Sequence, residues 1–134
     1  MACPFFLPSN PLSGALPVAA PLGDLYAGTC AEAPDAEIDD AILRRCCNTG
    51  YARFECPRAA RAEVDAARFL IRSDGDGIVE VAWAQERDHH PFDVGTKLYS
   101  PELAASPAPL DRQIAAYATC YLRQKCGSPH LSGV

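Results

Sequence analysis

The sequence predicts an α+β fold: a small antiparallel sheet of about three strands packed by a C-terminal helix, with a cysteine-rich lobe of loop and short helix beside it. Three observations predict it. Ile78-Val79-Glu80-Val81-Ala82-Trp83 is rich in β-branched residues, and Asp74-Gly75-Asp76-Gly77 ahead of it is a strong hairpin signal. Leu110, Ile114, Tyr117, Ala118, Tyr121 and Leu122 recur at i, i+4, i+7, i+8, i+11 and i+12, one face of a helix. Cys3, Cys30, Cys46, Cys47 and Cys56 all precede the sheet, in a stretch interrupted by prolines.

Residues 1–36 read as a proline-punctuated arm, extended or turn-rich. Phe5, Phe6, Leu7, Leu12, Leu16, Val18, Leu22, Leu25 and Tyr26 make it too apolar to stay solvated, so it should pack across the domain. A short helix is expected over 35–47. Asp35, Glu37, Asp39 and Asp40 suit its positive end, Arg44 and Arg45 its negative end, and Asn48-Thr49-Gly50 its stop. Ile38, Ile42 and Cys46 share its apolar face. A loop through Cys56-Pro57 follows, then a short helix over 58–66. Strands are expected over 67–73 and 78–86, and a third over 96–100 after a turn spanning His90-Pro91 to Gly95. The last helix covers 109–125, lies over one face of the sheet, and leaves 127–134 as a flexible tail. The 134 residues are expected to form a single domain.

Composition narrows the function. Hydrophobic residues make up 49% of the chain, so it is not a disordered segment. The formal charge of −5 is a poor basis for binding nucleic acid, and none is expected. No stretch approaches the roughly 20 apolar residues that span a bilayer, so no membrane association is expected. No Lys or Arg precedes Arg44, so the basic region of a signal peptide is missing. The expected compartment is the cytoplasm. There structural disulfides are rare, and clustered cysteines point to metal or redox chemistry. The count of seven also leaves one cysteine without a disulfide partner.

Cys47 and Cys56 flank a loop whose backbone can bend to bring two thiolates together and offer N–H groups to inorganic sulfide. Cys3 and Cys56 are each followed by proline, which turns the chain away from a compact pocket. Four thiolates are the usual complement of a 4Fe–4S cluster, and the candidates are Cys3, Cys30, Cys47 and Cys56. Cys46 reads as a small buried hydrophobe, although Cys46 and Cys47 exchange roles if the helix ends earlier. Cys120 and Cys126 read as nonligands. Arg44, Arg45, Arg53, Arg58 and Arg61 crowd the same region, either as donors to a negative centre or as a solvated face. Zinc, Zn²⁺, is the competing metal, but its structural sites favour tight C-x2-C pairs and none occurs here.

Five segments, Cys3-Pro4-Phe5-Phe6-Leu7-Pro8, Pro21-Leu22-Gly23-Asp24 to Cys30, Cys47-Asn48-x-Gly50-Tyr51-Ala52-Arg53-x-x-Cys56-Pro57, Asp65-Ala66-x-Arg68-Phe69 and Glu86-Arg87-Asp88-His89-His90-Pro91, together resemble a little-characterised group of small bacterial four-cysteine, iron–sulfur proteins. The resemblance covers most of the chain. It implies Cys3, Cys30, Cys47 and Cys56 as the cluster ligands, with Cys46, Cys120 and Cys126 peculiar to this chain, and it implies no particular reaction.

Other motifs are weaker. Glu86 to His90 concentrates ionisable groups after a strand, and His89 or His90 could serve as a base or a ligand; a polar turn is the simpler reading. In an EF-hand frame, Asp74-Gly75-Asp76-Gly77 would put Arg72 and Trp83 at the first and last ligand positions, so calcium is rejected. Trp83, Tyr51, Phe54 and Phe69 read as core. No nucleophile motif and no phosphate loop occurs. The expected function is electron transfer or redox sensing through a 4Fe–4S cluster, with a redox partner protein. The alternatives are a zinc-stabilised interaction module and a metal-dependent enzyme using the Glu86–His90 segment.

Overall fold

The structure is a computed structural model of the chain and describes residues 2–12, 21–23, 25–53, 55–59, 62–102 and 108–132, with side chains as far as Gln124. It has an α+β architecture of two antiparallel sheets and a long C-terminal helix. Strands β1 (Phe6–Pro11) and β2 (Tyr26–Cys30) pair with each other. A short helix α1 (Asp40–Ile42) runs directly into a π-turn (Leu43–Cys47). Strands β3 (Ala66–Gly75), β4 (Ile78–Arg87) and β5 (His90–Tyr99) form a three-stranded sheet in chain order, and α2 (Pro109–Ser132) follows.

The three-stranded sheet is close to what its sequence predicts. Asp76 and Gly77 both have positive φ, so β3 and β4 are joined by the two-residue turn that the Asp-Gly signal calls for. β5 departs from expectation, because the turn before it is Asp88-His89, again with both φ positive, and the strand starts at His90. Pro91 is tolerated there because β5 lies at the sheet edge, where a missing N–H breaks no second ladder. Gly95, paired with Trp83, leaves room for the indole: a Cβ would meet the ring at 2.6 Å.

Side-chain alternation then gives the sheet two unlike faces. Val79 and Val81 are fully buried and pack with Ile114 and Ala118 of α2, and Phe69, Ile71, Trp83, Tyr99, Leu110 and Tyr117 surround them. Burying each valine contributes roughly 1.5–3 kcal/mol. α2 thus covers one face, as expected, and continues as helix to Ser132 rather than ending at 125. Gly127 and Pro129 disfavour helix without forbidding it.

The N-terminal half differs more. The arm contributes two paired strands, which its prolines hid, and it buries Phe6, Leu22 and Tyr26. Leu16 and Val18 lie outside the described residues. The first helix begins at Asp40, not 35, because Asp39 is its N-cap and accepts from the Ala41 amide at 3.1 Å. The helix expected over 58–66 is not formed by the described residues there, which make a tight turn and a bend before β3 begins at Ala66. Gly50 ends the π-turn as the sequence suggests. Its φ is +71°, its N–H donates to the Cys46 carbonyl at 2.8 Å, and a Cβ would meet Ala66 at 2.7 Å.

Two buried amides fasten this half. Asn48 accepts from the Tyr26 amide at 2.9 Å and donates to the carbonyls of Tyr26 and Leu43 at 3.0 and 2.9 Å, fixing β2 to the π-turn. Gln113 of α2 donates to the carbonyls of Cys3 and Phe6 at 2.7 and 2.9 Å, fixing the arm to the long helix. Ala2 joins the arm to the other sheet, exchanging backbone hydrogen bonds with Ala67 at 2.7 and 2.8 Å.

Candidate metal centre

Each of the four candidate cysteines is held by a different local device. Cys3 follows the Ala2–Ala67 bridge, and its amide donates to the Cys47 carbonyl at 3.0 Å, which puts two candidates side by side. Cys30 ends β2 opposite Phe6, and a tight turn closes behind it through Ala33 N–H to Cys30 O at 3.0 Å. Cys47 ends the π-turn. Cys56 sits in consecutive turns, its amide donating to the Ala52 carbonyl at 2.8 Å and its carbonyl accepting from Ala59 at 3.0 Å. Cys3, Cys30 and Cys47 are buried, and Cys56 is partly exposed.

All four line one small cavity, with Cys46 as a fifth. Phe5, Phe6, Ile38, Ile42, Ala52 and Ala59 supply apolar walls, and Arg58 supplies the one cation among the lining residues. The enclosed space is about 20 Å³. That is the scale of a single water molecule, so a multi-iron core could enter only if the thiols rotate apart. Among the described residues, no three His, Cys, Asp or Glu side chains converge closely enough to hold one metal ion. The lining brings together soft thiols from separate segments, in an apolar setting with a cation at hand.

The π-turn explains how two adjacent cysteines reach the same cavity. The Asn48 amide bonds the Leu43 carbonyl, five residues back, at 3.1 Å. The wider turn reduces the angle between successive side chains, so Cys46 and Cys47 both face inward. Ile38, Ile42 and Cys46 do share one face, as their spacing predicts, and that face lines the cavity. Cys46 is fully buried, and its Sγ lies 3.9 Å from Glu55 Oε2.

Burial shapes the thiol chemistry. It pushes the Cys3 thiol up to about 11, against partial relief from a backbone hydrogen bond, and neighbouring cysteines add to the rise. It pushes Cys47 up to about 12, with Cys3, Cys30, Cys56 and Cys46 adding to it. Cys46 is also raised, by burial first and then by the Glu55 carboxylate. At neutral pH these three thiols are protonated, and turning them into ligands requires a positive centre that displaces their protons.

The remaining sequence candidates fall elsewhere. Arg44 pairs with Asp40 at 3.0 Å, Arg45 with Glu55, and Arg53 with Asp65 at 2.6 Å. Of the five arginines, Arg58 alone lines the cavity among the described residues, and Arg61 lies outside them. Cys120 is buried against Gly23 and accepts from Gln124 Nε2 at 3.4 Å, away from the cavity. Cys126 and Phe54 lie outside the described side chains.

The Glu86–His90 segment braces the loop that leads to Cys56. His89 stacks on Tyr51, with centroids 4.4 Å apart and planes 10° from parallel, and the Tyr51 hydroxyl donates to buried Glu86. Asp65 accepts from Arg53 Nε at 2.7 Å and from the Asp88 amide at 2.8 Å. Burial by itself would raise the Asp65 carboxyl, but the Asp88 amide and Arg53 together hold it below the usual range.

Sequence reasoning missed Asn48 and Gln113 as the groups that position the cysteine-bearing backbone. Gln113 gave one signal, a polar residue three after Leu110 and next to Ile114 on an otherwise apolar stripe. No helix among the described residues is long and apolar enough to cross a membrane. Comparison with protein-family models, with curated proteins and with solved structures finds no match to this chain.

Proposed function

We propose that this protein binds a 4Fe–4S cluster through Cys3, Cys30, Cys47 and Cys56 and acts in electron transfer or redox sensing in the cytoplasm, with a redox protein as its partner. One observation carries the reading: four thiols brought from four separate stretches of chain line a single apolar cavity. Burial raises the pKa of the Cys3, Cys46 and Cys47 thiols and gains nothing that alanine or valine would not supply. Ligation would compensate for that cost.

A bound cluster supplies one-electron exchange. The chain's own residues hold it, exclude water and set its charge environment. Phe5, Phe6, Ile38 and Ile42 wall the cavity off, and Arg58 places positive charge near a negative centre, which favours the reduced state and raises the potential. Cys56, the partly exposed member, marks the side facing solvent.

Anaerobic reconstitution with ferrous iron and sulfide tests this. The expected product is brown, absorbs broadly in the blue and contains iron and acid-labile sulfide. Cys56→Ser should abolish loading and Cys120→Ser should not. Colourless protein that takes up stoichiometric zinc and no iron, or equal loading in both variants, would reject the assignment.

A further inference from the structure

We infer that β5 is a self-complementary edge on which a second copy of this chain pairs antiparallel, about a twofold axis at Gly95. β5 is the outer strand of the three-stranded sheet, and among the described residues no strand pairs with its far side. Nearly all of its residues are exposed. An exposed edge of ten residues is a template for another strand unless charge, proline or a covering segment blocks it. β5 has its proline, Pro91, at one end only, and its two central charges are of opposite sign.

Those charges choose the occupant. Asp93 and Lys97 lie two residues either side of Gly95. When two copies of β5 run antiparallel with Gly95 facing Gly95, each Asp93 faces the other copy's Lys97, giving two ion pairs. In the same register Phe92 faces Leu98, and Val94 faces Thr96. A parallel arrangement in register would set like charges against each other, which destabilises a strand pair. Lys97 already donates to Asp111 of α2, yet its side chain is 49% exposed. An ammonium has three donors, so it can serve both carboxylates.

The apolar residues of the strand point the same way. Phe92, Val94 and Leu98 are 52%, 63% and 58% exposed. Edge pairing sets Phe92 of one copy beside Leu98 of the other, twice, and extends the sheet from three strands to six. Gly95 at the axis presents no side chain to obstruct the approach, and the indole of Trp83 lies over it on the α2 side. The one tryptophan of the chain therefore sits next to the seam.

The inference is independent of the metal centre and is tested on the full chain. Analytical ultracentrifugation of the wild-type protein should give the mass of two chains at high concentration, returning to one on dilution, with a parallel change in Trp83 emission. Asp93→Lys places lysine opposite lysine and should weaken association by at least about tenfold. Lys97→Glu combined with Asp111→Asn should do the same by facing two acids. Mixing the two variants should restore a dimer, because each lysine then meets a carboxylate. Circular dichroism checks that both variants are folded. A wild-type chain that is monomeric at all concentrations, a dimer unaffected by Asp93→Lys, or a mixture that stays monomeric would overturn the assignment.

Discussion

Val79 and Val81 in the sheet and Cys3, Cys30 and Cys47 in the N-terminal lobe are buried to a similar degree, but different forces put them there. The valines belong to a long strand of alternating side chains covered by a helix of matching period. The cysteines sit at a bridge, a strand end and a π-turn, which Asn48 and Gln113 hold together. One region is stabilised mainly by apolar area. The other adds buried polar contacts to its own apolar cluster around Phe6, Leu22 and Tyr26, and gathers thiols at one cavity.

The largest expected effects separate the halves by kind. Cys47→Ser should remove most bound iron from reconstituted protein, measured as iron per chain, while the far-UV spectrum of the sheet and helix stays as it was. Cys46 next to it should rescue a fraction, because it faces the same cavity; the double variant with Cys46→Ser should therefore lose the remainder. Equal iron in the single and double variants would show that Cys46 is only packing. In the other half, Ile114→Ala should cost about 2–5 kcal/mol in urea unfolding. Ile114 is fully buried against Val79 and Val81. A loss below about 1 kcal/mol would mean that the helix–sheet contact is not what stabilises that half.

Legibility in the sequence followed the same division. The Asp-Gly turn, the β-branched run and the helical period each encode local structure, and each fell where expected, although α2 runs on past 125 to Ser132. The α2-facing surface of the sheet followed from alternation alone. The cavity was legible only as a set of residue types: sequence supplied Cys3, Cys30, Cys47 and Cys56, but not the means of bringing them together. Prolines concealed β1, because Pro8 and Pro11 lie in a two-stranded ladder with open edges, where a missing N–H is tolerated. The π-turn was not legible because it depends on Asn48 bonding residues far along the chain, and an α-helical period placed Cys46 on one face and Cys47 on another.

Asn48→Ala sharpens the comparison at a smaller scale. It strands the Tyr26 amide and two carbonyls in a buried setting, at a cost of about 1–3 kcal/mol. The loss should be local. Hydrogen exchange at Tyr26 and its β2 neighbours should speed up while the amides in the middle of β4 stay protected. Uniform acceleration across both sheets would show that the lobe and the three-stranded sheet open as one unit.

The smallest effect concerns the seam between the halves. Asp65 ties Arg53, on the loop leading to Cys56, to the Asp88 turn between β4 and β5. Its carboxyl titrates below the ordinary value of about 3.9. A group depressed in the folded state binds its proton more readily when unfolded, so its contribution is complete above about pH 4 and is lost as pH falls through the folded value. Asp65→Asn should cost about 1 kcal/mol at neutral pH, since the charge is lost and the amide oxygen accepts only one of these hydrogen bonds. It should flatten the acid limb of the stability curve below about pH 4. The loop around Tyr51 and His89 should also loosen, reducing their ring stacking without changing the β3–β4 register. An acid limb as steep in Asp65→Asn as in the wild type would place the acid-sensitive contact elsewhere and leave Asp65 as a neutral spacer between the two halves.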